Sequence, residues 1–178
     1  ATHGGVTEDN AHPLTGCDDS KLAIVLNGIV ENYRDLKAEL ESSGHAFTSE
    51  TDAEVVAHLL ETMYDGDLLE AVRRVYQRLE GHFTFVAVHA DDPETLVAVR
   101  YQTPLVVGIG ETESFFASNV AAFLSETRRV AYPDHGVVVE ITPGAYRAVR
   151  ADDGELVELE LHDIDWDDEV AQREGHET

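Results

Sequence analysis

The side chains that most often carry out chemistry in proteins fall in none of the familiar motifs here. The sequence holds no G-x-x-x-x-G-K-[ST] phosphate loop, no H-E-x-x-H zinc motif, no G-x-S-x-G nucleophile motif and no dinucleotide fingerprint. Its histidines never form an i, i+4 pair with a third acidic partner, so the spacing predicts no metal site, and we expect no cofactor. The nine histidines are His3, His12, His45, His58, His82, His89, His135, His162 and His176.

Two other features stand out but name no reaction by themselves. Cys17 is the single cysteine, which excludes an internal disulfide and a multi-cysteine zinc site. We expect it to be a partly buried thiol without a function. Asn27-Gly28 interrupts the apolar run of residues 21–26, and such an interruption predicts a tight turn or a close backbone approach.

The charge of the chain excludes several classes of partner. Its 178 residues include 36 Asp plus Glu and 12 Lys plus Arg, a net charge of -24. Because such a surface repels phosphate backbones and anionic lipids, we expect neither a nucleic acid nor a membrane as partner. The acidic residues are spread along the chain, and only Lys21 and Lys37 are lysines. This pattern favours a salt-adapted surface over an ordinary acidic one.

Length and hydropathy predict one soluble domain in the cytoplasm. No apolar run approaches the length of a membrane span, and no signal segment opens the chain. We expect a domain over residues 1–162 and, over 163–178, an acidic tail or the start of a linker. The chain opens at Ala1 rather than Met, inside a motif, so we do not expect Ala1 to be the natural terminus.

The elements that would position any site begin with a buried strand over residues 21–26, followed by three helices. Asn32 is expected to cap the first helix, which ends at Gly44. Thr51 and Glu54 form a T-x-x-E capping box for the second, which ends near Gly66, and the third covers residues 67–79. Apolar residues at helical spacing support the first two helices: Tyr33, Leu36, Leu40, Val55, Val56, Leu59, Leu60 and Met63.

After Gly81 the sequence turns to short β-rich segments separated by turn residues. A helix-rich front and a strand-rich back predict an α+β fold with mainly antiparallel sheets. The expected strands cover residues 83–88, 96–99, 105–109, 115–117, 137–141, 146–149 and 156–161.

Four motifs in order give the chain a specific resemblance. A-T-H-G at 1–4, N-A-H-P at 10–13, N-G-I-V-E-N-Y at 27–33 and S-E-T-D-A-E-V at 49–55 resemble the glutaminase domains of the glucosamine-6-phosphate synthase family. Weaker matches continue to residue 167, so the resemblance covers nearly the whole chain. Related amidotransferases that act on phosphoribosyl pyrophosphate or aspartate share the N-G element, but the four motifs together favour the sugar-phosphate branch.

The resemblance implies a fold and a reaction. The fold would be that of an N-terminal-nucleophile hydrolase, with two antiparallel sheets between helical layers. A terminal cysteine thiolate would attack the side-chain amide of glutamine, with its own α-amine as the base. The ammonia would pass to a sugar-isomerase domain that is absent from this chain, and the family permits a homodimer of the full-length protein.

The resemblance also assigns roles to residues of this sequence. Asn27 and Gly28 match the oxyanion hole, in which the Asn amide and the Gly backbone N–H face the developing charge. Asp52 matches the carboxylate that pairs with the α-ammonium of glutamine. Thr2 and His3 match the loop that lines the glutamine pocket. Without the resemblance, Asn27-Gly28 reads as a plain turn and Asp52 as an acid in the first turn of a helix.

The sequence departs from the family pattern at several positions. Leu26 stands where histidine is usual, Gln102 where glycine is common, and Asn119 where aspartate is usual. The nucleophilic cysteine and the arginine for the substrate carboxylate would both lie ahead of Ala1. Cys17 falls in a variable hairpin and has no free α-amine, so we expect the 178 residues alone to be catalytically incomplete.

Two other interpretations remain open. The chain could be a non-catalytic remnant that keeps a glutamine-shaped pocket or serves as an interaction module. It could also be the glutaminase domain of another class-II amidotransferase. An in-frame segment beginning Met-Cys-Gly ahead of Ala1 favours the enzyme, and a stop codon there favours the remnant.

Overall fold

The computed structural model describes residues 5–17 and 21–165, which form two antiparallel sheets and three α-helices. In chain order the strands are β1 (Leu14–Thr15), β2 (Leu22–Val30), β3 (Gly81–His89), β4 (Asp92–Tyr101), β5 (Val106–Ile109), β6 (Ser114–Ala117), β7 (Arg129–Ala131), β8 (Val137–Thr142), β9 (Ala145–Arg150) and β10 (Leu161–Asp163). The helices are α1 (Tyr33–Ser42), α2 (Glu54–Met63) and α3 (Leu68–Tyr76), and a 3-10 turn covers Val120–Ala122.

The six-stranded sheet has the order β1-β2-β3-β4-β8-β9. Its strand β2 alternates regularly, with Leu22, Ile24 and Leu26 buried on the face that the helices cover. The residues between them point to the opposite face, because successive side chains of a strand alternate. Asn27 therefore lies on the face away from the helices.

Helix α2 is the centre of the helical layer. Every residue from Glu54 to Leu60 is buried, since α1, α3 and strands β1 and β2 all contact this helix. Its apolar side chains join the main core with Ile24 and Phe85 of the sheet. A helix surrounded in this way also buries its polar side chains, and Glu54 and His58 are 2% and 1% exposed.

The second sheet, in the order β10-β7-β5-β6, packs against the face of the first that lacks helices. Val107 and Ile109 of β5 contact the side of the first sheet formed by Val139 and Ile141. On its outer face, Phe123 covers Gly108, where an added Cβ would lie 2.6 Å from the ring. The predicted α+β class with antiparallel sheets is confirmed. Strand β10 runs past residue 162, and Ile164 is buried in the part of the core that also contains Phe123.

The strand predictions are correct for most segments and wrong at four places. Strand β2 runs through Asn27-Gly28 to Val30 without a break, because Gly28 pairs in register with Phe83. Residues 156–161 form no continuous strand, and Leu156 makes only an isolated bridge to Val149. Strands β1 and β7 were not predicted, since two or three residues carry too little alternation to be recognised.

The helix predictions hold for all three helices, but two caps differ. Asn32 occupies the N-cap of α1 without bonding to it. Its amide instead donates to the carbonyl of Arg78 at 2.9 Å and accepts from the N–H of Glu80 at 3.1 Å. The Asn32 side chain therefore bonds to residues far along the chain and not to the start of α1. At the other end, Gly44 has φ +96 just beyond α1, as predicted. Helix α3, predicted over residues 67–79, is capped by Asp67 and ends at Tyr76.

The predicted capping box of α2 is also different. The N-cap is Ala53, and the carboxylate of Glu54 reaches back beyond Thr51. It accepts hydrogen bonds from the backbone N–H groups of Thr48 and Ser49, each at 2.7 Å, and from the Ser49 hydroxyl. Glu54 thus ties the loop before α2 to the start of the helix.

We expect Glu54 to make the stability of the fold depend on acid pH. Burial raises the pKa of Glu54, but the His58 imidazole 3.5 Å away and the hydrogen bonds from Thr48 and Ser49 outweigh it and lower the pKa to about 2 from 4.5. Ionised Glu54 therefore stabilises the native state above pH 4.5, and that stabilisation is lost as the pH falls toward 2. A pKa lowered by this much corresponds to about 2 to 3 kcal/mol in the free energy of unfolding.

The control is Glu54→Gln, which does not titrate. The free energy of unfolding, measured with urea, should favour the wild type near neutral pH, and the difference between the two proteins should shrink as the pH falls below 4.5. A difference that stays constant across this range would contradict the assigned pKa.

Candidate functional site

A cavity of about 220 Å³ opens between the two sheets beside Asn27. Strands β2 and β3 form one wall, and the segment before β5 and the end of β6 form the other. Its lining is mostly apolar with a few polar groups, which is typical of a small-molecule site. The lining residues are His12, Val25, Leu26, Asn27, Thr84, Val86, Pro104, Leu105, Phe116, Ala117 and Ser118.

Asn27 is an exposed residue of this wall. Within residues 5–17 and 21–165 its side-chain amide makes no hydrogen bond, whereas Asn10, Asn32 and Asn119 all use theirs to hold the backbone. An amide that the fold does not use can donate to a ligand. Among the described residues, none gives the Asn27 amide a structural role.

Gly28 has a clear structural reason to be glycine. Its φ is +110, and an added Cβ would overlap the backbone carbonyl oxygen of His82 on strand β3. Gly81 mirrors it with φ +129 and would overlap the carbonyl of Ile29. The two strands therefore approach each other more closely here than side chains would allow. The predicted close backbone approach is confirmed, and the predicted turn is absent.

Thr84 of β3 holds the opposite wall of the cavity in place. Its hydroxyl lies 2.6 Å from that of Thr103 and 3.3 and 3.2 Å from the carbonyl oxygens of Thr103 and Pro104. Just before them, Gln102 has φ +62, which is unusual for a residue with a side chain. That conformation costs a residue with a side chain about 1 to 2 kcal/mol, a cost that glycine avoids.

The other two departures, Asn119 and Leu26, both make hydrogen bonds within the fold. The Asn119 side chain accepts from the N–H of Ala121 at 2.9 Å, as an aspartate could. Leu26 is buried on the helical side, and its N–H donates to Nε2 of His12 at 3.4 Å.

Histidine 12 is a cavity residue that sequence reasoning did not single out. It belongs to the N-A-H-P motif, but nothing in its spacing showed that it would meet β2. Although the residue is exposed on one side, burial lowers the pKa of its imidazole, and the charge of Asp52 acts in the opposite direction. A lowered pKa keeps the ring neutral, in agreement with its acceptor role toward Leu26.

Asp52 is brought close to β2 but not into the cavity lining. It is 3% exposed and lies just before α2, and its Oδ2 accepts from the N–H of Val30 at 2.7 Å. Val30 is three residues beyond Asn27 on the same strand. Because α2 begins at Glu54, Asp52 precedes the first turn rather than belonging to it. Thr2 and His3 lie outside the described residues.

Cys17 lies elsewhere. The residue is exposed rather than partly buried, and it contacts none of the cavity residues. It meets His45, His58 and Glu61, and one ligand atom from each of the four lies within 4.8 Å of the others. The sequence showed only the i, i+3 pair of His58 and Glu61, which is too common to predict a cluster.

No helix among the described residues is long and apolar enough to cross a bilayer.

Comparisons with known proteins identify the family of the chain. Residues 4–125 match the family model described as a glutamine amidotransferase domain. Glutamine-fructose-6-phosphate aminotransferases (isomerizing) of Streptomyces coelicolor and Thermococcus kodakarensis are 48% and 44% identical to the chain, and the alignment covers 99% of the chain and 29% of each relative. The chain thus spans less than a third of the length of these relatives.

A solved structure shares the fold. Glutamine phosphoribosylpyrophosphate amidotransferase from B. subtilis superposes with a TM-score of 0.70 at 21% identity, over 84% of this chain and 33% of that one. The likeness confirms the predicted N-terminal-nucleophile hydrolase fold. Since the family model matches more than half of the residues, the chain belongs to the glutamine amidotransferase domain family.

Proposed function

We propose that this chain is the glutamine-hydrolysing part of an aminotransferase that makes glucosamine 6-phosphate from fructose 6-phosphate and glutamine. The observation that carries the proposal is the Asn27 amide, which lines a cavity in an amidotransferase domain and has no partner in the described part of the fold. The names of the relatives support the sugar-phosphate acceptor.

In the proposed mechanism a cysteine thiolate attacks the side-chain carbonyl carbon of glutamine. The amide oxygen then gains negative charge, and the Asn27 side chain and the Gly28 N–H donate to it. Donors fixed in this way stabilise the transition state more than the ground state, which is what accelerates a reaction. The strand pairing that fixes Gly28 against β3 would hold this hole rigid.

Asp52 is proposed to bind the α-ammonium of glutamine, and Thr2 and His3 to line the same pocket. The bond from Val30 fixes the Asp52 carboxylate relative to β2. A buried carboxylate attracts a cation strongly because little water screens it. The Asp52 carboxylate would thus hold the α-ammonium of glutamine, while Asn27 and Gly28 hold its side-chain amide oxygen.

The nucleophile is proposed to come from a segment ahead of Ala1. Cys17 is unsuited because its own backbone N–H donates to Glu61 at 3.0 Å and its thiol lies among histidines away from the cavity. The 178 residues are then catalytically incomplete, and a sugar-isomerase domain, in a homodimeric full-length protein, would use the ammonia.

The test uses the complete product of the gene that encodes this chain. It should hydrolyse glutamine and form glucosamine 6-phosphate from fructose 6-phosphate. Amination of phosphoribosyl pyrophosphate or aspartate instead would assign the domain to another class-II amidotransferase. A stop codon directly ahead of the codon for Ala1, with no ammonia release, would identify a non-catalytic remnant and contradict the proposal.

We also propose that the protein works in a cytoplasm of high salt. The excess acidic side chains that give the net charge of -24 repel one another, and concentrated salt screens that repulsion. Tm should rise as potassium chloride increases toward molar concentration, by about 2 to 4 °C for each kcal/mol of relieved repulsion. A neutral osmolyte at the same osmolality is the control. A flat Tm, or an equal rise with the osmolyte, would contradict the salt adaptation.

A further inference from the structure

The four side chains around Cys17 come from three separate segments. Cys17 lies in the connection between β1 and β2, His45 in the loop between α1 and α2, and His58 and Glu61 on one face of α2. His58 is buried, and His45 and Glu61 are half-buried. No part of the glutamine mechanism uses any of them.

Their ligand atoms lie at the separations of a tetrahedral zinc site. Zinc bonds of about 2.3 Å to sulfur and about 2.05 Å to nitrogen place two nitrogens about 3.4 Å apart and sulfur and nitrogen about 3.6 Å apart. The two Nδ1 atoms are 3.2 Å apart, and Cys17 Sγ lies 3.7 Å from His45 Nδ1 and 3.5 Å from His58 Nδ1. Glu61 Oε2 lies 3.3 and 3.6 Å from the same two nitrogens.

Hydrogen bonds among the four groups do not account for this arrangement. The thiol and the two neutral imidazoles supply one hydrogen each, while five close contacts converge on one point. Two imidazole nitrogens that face each other at 3.2 Å need a proton or a cation between them. A metal ion at the centre satisfies every contact at once.

The surrounding groups complete such a site. The N–H of Ala46 lies 3.4 Å from Cys17 Sγ, where it stabilises a thiolate. The outer nitrogen of His45 lies 3.4 Å from the Thr62 hydroxyl, and that of His58 lies 3.5 Å from a carboxylate oxygen of Glu54. A carboxylate or hydroxyl behind a ligating imidazole fixes its orientation and raises its basicity.

We propose that Cys17, His45, His58 and Glu61 form a structural zinc site. Four protein ligands leave no open position, which is the mark of a structural rather than a catalytic zinc site. The thiolate and the carboxylate balance the charge of the ion. The metal links both loops to α2 and, through Glu54 and His58, supports the helix start beside Asp52.

The test measures zinc binding by the tag-free chain after chelation and dialysis, in molar potassium chloride so that the acidic surface does not retain metal. The chain should take up one zinc per molecule, and cobalt should give a thiolate charge-transfer absorption band. Cys17→Ser, at an exposed position, should lose that band and weaken zinc binding by about a hundredfold or more. His45→Ala should weaken it similarly.

The matched control is His82→Ala, which removes the surface histidine that lies 3.4 Å from Glu31 and should leave zinc binding unchanged. Substoichiometric zinc in the wild type would overturn the proposal. So would zinc binding that survives Cys17→Ser, with the fold of each variant checked by circular dichroism. Zinc binding is measured without glutamine turnover, so either result leaves the test of the glutamine site unchanged.

Discussion

Replacing Asn27 by alanine should lower kcat for glutamine hydrolysis by about a hundred- to a thousandfold, with KM little changed. The loss falls on kcat because the bond to the amide oxygen strengthens only as charge develops. The measurement is ammonia release at saturating glutamine, in the full-length protein with the proposed cysteine-led segment. Stability should change little, since the Asn27 amide holds no other described residue.

Asn119→Ala is the matched control for this effect. It removes an asparagine side chain that accepts from Ala121 and lies outside the cavity lining. That variant should lose about 1 kcal/mol of stability and keep its kcat. If Asn27→Ala instead kept wild-type kcat and merely melted earlier, Asn27 would be a structural strand residue and not an oxyanion donor.

Replacing Asp52 by asparagine should raise KM for glutamine by roughly ten- to a hundredfold while kcat stays nearly constant. A charge-assisted contact is worth about 1.5 to 3 kcal/mol, and this one acts on the ground and transition states alike. The fold should survive, because the amide oxygen of asparagine can still accept from the Val30 N–H.

A substrate analogue without the α-amine separates binding from structure. The wild type should bind glutamine better than the monoamide of glutaric acid, and Asp52→Asn should remove most of that preference. Equal loss of affinity for both compounds would show that Asp52 acts only through the position of β2, which would contradict its proposed role.

The elements that could be predicted from the sequence are those whose apolar spacing extends over several turns or alternations. Strand β2, the three helices and most later strands belong to this group. Short strands such as β1 and β7 could not be predicted, because two or three residues show no alternation and only pairing with another strand defines them. The same holds for the caps, since Asn32 and Glu54 bond to groups that only the folded chain brings near.

The candidate site divides in a similar way. Asn27, Gly28 and Asp52 could be named only because their motifs resemble a family, and nothing in their spacing indicated a role. Gly28 shows why a local interpretation fails. An N-G pair reads as a turn, but here the glycine lets β3 approach within a continuous strand. His12 and the cluster around Cys17 depend on contacts between segments that the sequence leaves unconnected.

Ammonia release from glutamine, compared between the 178-residue chain and the full-length protein, shows where the nucleophile lies. We expect no release above background from the 178 residues and measurable release from the protein that carries a terminal cysteine. Turnover by the 178-residue chain that disappears on Cys17→Ala would contradict it, because the nucleophile and the site would then lie at the cluster around Cys17 and not beside Asn27.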